Sequence, residues 1–125
     1  MREILFKAKR LDNGNWVDGN VFFGENKKCE ICIGTPIIRI TYEVYPETVC
    51  QYTGLTDKNG VKIFENDVCV FESDVDGEKA ECLVFWDLHD CKFAVAEKEC
   101  GCTDIFDRLF AERCTAIENI HDKEL

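Results

Sequence analysis

The chain has 125 residues and a formal charge of −10, from 25 acidic and 15 basic side chains. That length fits one domain with its own core, and an apolar fraction of 46% excludes a disordered chain. So much negative charge argues against binding a phosphate backbone, because the largest basic cluster is Lys7, Lys9 and Arg10.

From the N-terminus, residues 3–9 and 15–23 read as two strands around Asp12-Asn13-Gly14, a hairpin signal because Asn-Gly supplies the positive φ angles of a tight turn. The start turns charged before an apolar signal segment forms, and no apolar run approaches the roughly 20 residues of a membrane helix. A cytoplasmic location is the expectation. In that reducing setting nine cysteines do not make a disulfide framework.

After a polar stretch, 24–28, residues 37–45 alternate. Ile38, Ile40, Tyr42 and Val44 point one way and Arg39, Thr41 and Glu43 the other, the period of a half-buried strand that follows Pro36 and ends at Pro46. A weak boundary near residue 47 separates an N-terminal hairpin region from a more compact remainder. Residues 49–55, 61–64 and 68–72 are strand-like, with turns at 57–60 and 74–77. Residues 81–86 and 93–96 read as an antiparallel pair. Ile105, Phe106, Leu109 and Phe110 form a helical stripe over 104–112, capped by Thr103 or Asp104, and 114–120 returns as the last strand. Nine Phe and two Trp are the expected anchors of the core.

The middle of the chain carries a recognisable run: Ile33-Gly34-Thr35, Tyr45-Pro46-Glu47-Thr48-Val49, then Gln51-Tyr52-Thr53-Gly54-Leu55-Thr56-Asp57-Lys58-Asn59-Gly60-Val61-Lys62-Ile63-Phe64-Glu65-Asn66-Asp67-Val68. The opening residues 2–6 with Gly14, Trp16 and Val17, then residues 84–87 and Phe93, and the ending Ile117-Glu118-Asn119-Ile120-His121-Asp122 complete a pattern that resembles the YopX-like phage protein family. The resemblance implies a single domain over 1–125, an SH3-like β-barrel with an N-terminal β-hairpin segment and one short α-helix, encoded by a phage or prophage. It brings no catalytic residues. The sequence departs from the family pattern at Asn66, where similar proteins tend to carry Gly, and in its Cys29/Cys32 and Cys100/Cys102 pairs.

The chemistry-bearing residues are few. Cys29-Glu30-Ile31-Cys32 with Cys100-Gly101-Cys102 offers four thiols, but the spacing is not that of a zinc ribbon, and no helix follows the first pair to activate a thiol. Ordinary small apolar cysteines are the preferred reading, with no metal and no cofactor. Cys50, Cys69, Cys82 and Cys91 read as core or strand fillers. Glu72, Asp74, Asp76 and Gly77 mimic the start of a calcium loop, but Leu83 stands where the bidentate acid belongs. His89 and His121 lie in no triad or metal spacing. Trp86 reads as core beside Asp87, and Asp57 and Asp67 as turn caps.

The expectation is a non-enzymatic accessory protein that binds another protein or itself, with no nucleic-acid and no membrane partner. A basic partner for the acidic surface, a small-barrel nucleic-acid module and a zinc-stabilised interaction domain using Cys29/Cys32 are the alternatives.

Overall fold

The computed structural model describes residues 3–24, 28–35, 37–73 and 75–123. The chain is mainly β, with eleven strands, one 3-10 turn and one single-turn helix among the described residues. It divides into two compact units, one ending at Tyr52 and the other beginning at Thr53. The strands fall into two antiparallel sheets, and neither closes into a barrel.

In the N-terminal unit, β1 (Phe6–Lys9) and β2 (Trp16–Phe23) form the predicted hairpin, with Ala8 opposite Val17. Its loop is longer than a two-residue turn. Arg10 N–H bonds the Asn15 carbonyl at 2.9 Å, and Gly14, at φ +71°, bonds the Arg10 carbonyl. Next comes β3 (Cys29–Gly34), a strand the sequence reading did not anticipate, then β4 (Arg39–Glu43), shorter than the expected 37–45. A 3-10 turn at Pro46–Thr48 leads into β5 (Cys50–Thr56), whose first residues pair with β1. The order β4-β3-β2-β1-β5 leaves β4 at an edge. Ala8, Cys29, Ile31 and Val44 form the small core of this unit. Of the polar stretch 24–28, residues 25–27 lie outside the described residues, as do Arg2, Pro36 and Asp74.

In the C-terminal unit the end of β5 runs beside β6 (Lys62–Phe64). The other sheet comprises β7 (Asp67–Glu72), β8 (Lys79–Asp87), β9 (Lys92–Glu97), β10 (Thr103–Ile105) and β11 (Cys114–Asn119), in the order β10-β9-β8-β7-β11. The antiparallel pair expected from 81–86 and 93–96 is β8–β9, with Val84 opposite Val95. Both are buried with Ile63, Cys69, Cys82, Ala111 and Cys114. Each such branched side chain contributes about 1.5–3 kcal/mol by leaving water.

The helix differs most from its prediction. Only α1 (Arg108–Ala111) is helical, and its cap is Asp107, whose carboxylate accepts the Phe110 N–H at 3.0 Å, rather than Thr103 or Asp104. Thr103 and Ile105 belong instead to β10, paired with β9. The apolar stripe was drawn from two different elements. Phe106 and Phe110 pack on the core, with Phe110 stacked on Phe71 at 4.9 Å, whereas Ile105 and Leu109 are exposed.

The core is also built of different residues than composition suggests. Its largest fully buried members are Ile, Val and Cys side chains with Thr48, and Phe64 is the one buried phenylalanine among the described residues. Phe22 and Phe23 are exposed.

Candidate functional site

The recognisable run 51–68 folds into two turns, and the ending 117–122 belongs to the same unit as the larger part of that run. Asp57 opens the first turn. Its Oδ1 accepts the N–H groups of Asn59 at 2.8 Å and Val61 at 2.9 Å, and its Oδ2 accepts that of Ala116 in β11 at 2.9 Å. Burial raises the carboxyl pKa, but the three N–H donors and the Lys58 charge outweigh it and hold Asp57 below its ordinary value.

Asp67 closes the second turn. Its Oδ2 accepts the Phe64 N–H at 2.7 Å and its Oδ1 accepts the side-chain amide of Asn119 at 2.9 Å. Asn119 Nδ2 also donates to the Glu65 carbonyl at 3.2 Å, and its Oδ1 accepts the His121 N–H at 3.0 Å. Asn66 sits between, at φ +71°. That left-handed conformation is one that Gly adopts freely and Asn at little cost. Both aspartates are buried, and their oxygens are aimed at backbone and amide donors. The recognisable residues thus hold the fold together.

Cys29 and Cys32, weighed above as metal ligands, do not converge. Cys29 and Cys32 lie three apart on β3, and successive strand residues alternate faces. Cys29 is therefore buried in the core, while Cys32 lies on the other face with its Sγ 3.7 Å from Thr41 Oγ1. The two sulfurs therefore lie on opposite faces of β3. Among the described residues no group of three or more His, Cys, Asp or Glu side chains is arranged to hold a metal ion. Asp76 Oδ1 accepts the Glu78 N–H at 3.0 Å within the β7–β8 turn.

Five cysteines are core residues: Cys29, Cys50, Cys69, Cys82 and Cys114. Burial pushes the Cys82 thiol up to about 11, with the Glu97 charge adding to it, and the hydrogen bond to Cys114 together with burial raises Cys69. Such thiols are inert at neutral pH. Cys91, expected to fill a strand, is exposed in the β8–β9 turn at φ +53°.

Trp86 is not a core residue either. It is 38% exposed and packs edge-on against its cross-strand neighbour Phe93 at 5.0 Å. Asp87 Oδ1 caps the turn by accepting the His89 N–H at 2.9 Å. The His89 ring is exposed beside Asp90.

The basic cluster is stacked on aromatic rings. Lys7 Nζ lies 4.5 Å from the Trp16 ring centre, and the Arg10 guanidinium lies 4.0 Å from that of Tyr42. Arg10 also pairs with Asp12 at 2.6 Å. Among the shallow grooves of the described residues, two are lined by apolar side chains. One of about 380 Å³ is lined by Phe71, Ile105, Leu109, Phe110 and Arg113 among others, and one of about 290 Å³ runs along Val21, Phe22, Cys32, Ile33 and Arg39. Neither groove pairs a nucleophile with a base.

The feature that stands out is apolar and belongs to the β3–β4 hairpin. Ile33 lies directly opposite Ile40, on the face that Ile31 and Tyr42 share. Ile31 on that face is fully buried, yet Ile33 is 38%, Ile40 54% and Ile38 74% exposed. The strand reading placed Ile38 and Ile40 on the buried side of 37–45. The side is right, but the face continues beyond its cover.

The fold has a solved counterpart. A protein designated EF1440 from Enterococcus faecalis, known as a crystal structure, superposes with a TM-score of 0.58 at 19% identity, over 98% of this chain and 96% of that one. No curated protein matches the chain. The model of the YopX protein family matches residues 6–123, and the chain belongs to that family.

Proposed function

We propose that this chain is a phage- or prophage-encoded accessory protein of the bacterial cytoplasm that acts by associating with a second copy of itself, and that it is not an enzyme. The observation that carries this reading is the exposed Ile33–Ile40 pair on the sheet face that also carries the buried Cys29 and Ile31. Large apolar side chains on an open strand edge are a template for pairing.

The edge favours one arrangement. Val44 N–H bonds the Cys29 carbonyl, and Thr35 N–H bonds the Ile38 carbonyl. Alternation from these two points turns the backbone of Ile40 and Tyr42 toward β3 and that of Arg39 and Thr41 outward. At Glu43 the edge is covered, because Leu11 N–H donates to its carbonyl at 3.0 Å. A two-fold centred on Ile40 sets Thr41 opposite Arg39 of the second copy and Ile40 opposite Ile40. Such a contact is isologous and short.

Nucleic acid is not a partner on this reading, since the −10 charge opposes it and Lys7 and Arg10 lie on aromatic rings. No helix among the described residues is long and apolar enough to cross a membrane, and a soluble protein without a membrane partner is part of the proposal. The meander β7-β8-β9, followed by a short helix and a last strand that returns to β7, supports an SH3-like reading of the C-terminal unit as an open relative of that barrel.

Light scattering on the full chain tests the association. The wild type should have the mass of two 14.4 kDa chains. The variant I38K/I40K should have the mass of one, with an unchanged circular dichroism spectrum, since both positions are exposed. A wild type that stays a single chain at its highest soluble concentration overturns the proposal.

A further inference from the structure

The turn between β9 and β10 carries two thiols that the fold does not use. Cys100 and Cys102 are both exposed, unlike the five core cysteines. The turn is held at its base by Glu97 N–H bonding the Cys102 carbonyl at 2.9 Å and by Gly101 N–H bonding the Glu97 carbonyl at 2.8 Å. Gly101 takes φ +69°, which folds the three residues back on themselves, and a Cβ built on it would meet nothing within 4 Å. The dithiol is therefore open to solvent on that side. The Cys102 N–H donates to Cys100 Sγ at 3.2 Å, and the Cys100 thiol points at Glu97 Oε2, 3.6 Å away.

We propose that Cys100 and Cys102 form a binding site for one soft monovalent cation of the copper(I) type, held between the two sulfurs. The requirement differs from that of zinc. A structural zinc needs four ligands in tetrahedral reach, which this turn lacks. A soft d10 monovalent ion is satisfied by two thiolates and is selected by them.

The Glu97 carboxylate beside Cys100 attracts a cation to the dithiol, and the cation's own charge then favours both thiolates. Binding releases two protons: two thiols and one copper(I) ion give a bis-thiolate complex and two protons, with no change of oxidation state. Glu97 is placed to accept the first of these.

Titration of the reduced full chain with copper(I) presented as its bicinchoninate complex tests the proposal. The wild type should withdraw one equivalent more than C100S/C102S. The C32S/C91S variant, which removes the other solvent-accessible thiols, should match the wild type. X-ray absorption on the loaded wild type should show two sulfur neighbours per copper, and affinity should fall steeply as pH drops. The serine variants lie on an exposed turn, and unchanged circular dichroism confirms that they fold. The proposal is overturned if C100S/C102S withdraws as much copper as the wild type, or if the wild type leaves all of it with the chelator.

Discussion

The side-chain amide of Asn119 donates to Asp67 Oδ1 at 2.9 Å in a buried position, joining residues 52 apart in the chain. The same amide reaches the Glu65 carbonyl, so the turn 64–67 and the last strand are tied together by one side chain. Both residues belong to the stretches that carry the family pattern. If these stretches serve the fold, substitutions in them act on stability first. Asn119→Ala should destabilise the chain by about 2 kcal/mol, the cost of removing a buried partner from a charged acceptor. Urea denaturation checks it, and an unchanged midpoint would move Asn119 out of the structural network.

Asp57 gives the stability a pH dependence of known sign. Its folded pKa lies below the ordinary value of 3.8. The unfolded chain therefore takes up the proton first. The stabilisation is fully present above the unfolded pKa and is lost as pH falls through the folded one. Unfolding free energy should decline as pH drops below about 4, and Asp57→Asn should be less stable at pH 7 with a shallower acid decline. Denaturation at a series of pH values measures both.

Asn66 occupies a left-handed conformation at φ +71°. Asn66→Gly should be close to neutral, whereas Asn66→Val should cost about 1–2 kcal/mol or more, because a Cβ branch clashes with the following carbonyl. Thermal denaturation of the two variants side by side checks the ordering.

Association of two copies brings two charges of −10 together. The repulsion is long-ranged and is screened as the Debye length shrinks from about 30 Å at 10 mM ionic strength to about 8 Å at 150 mM. The dimer should therefore tighten with added salt. Sedimentation equilibrium at the two ionic strengths reads this, and weakening by salt would point to an interface held by ion pairs instead.

Local chemistry was legible in the sequence, and long-range placement was not. The turn-capping roles of Asp57 and Asp67 follow from short side chains that reach backbone N–H groups a few residues away. Their partners Ala116 and Asn119 lie 59 and 52 residues further on, and no local pattern announces them. The strand β3 was hidden because Cys29-Glu30-Ile31-Cys32 reads as a ligand motif before it reads as alternation. Ile105, Phe106, Leu109 and Phe110 matched a helical stripe by coincidence, since Ile105 belongs to β10 and only Leu109 and Phe110 belong to α1. The exposure of Ile33 and Ile40 is also invisible in the sequence. Alternation identifies the face of a strand but not how far along it the cover extends.

Amide hydrogen exchange as a function of protein concentration tests the proposed association most directly, because it reads the β4 edge residue by residue. The Arg39 and Thr41 N–H groups turn outward on this account and become bonded only in the pair. Their protection should rise with concentration, while amides of the β7–β8–β9 meander stay unchanged. Protection of Arg39 and Thr41 that is the same at every concentration would contradict it.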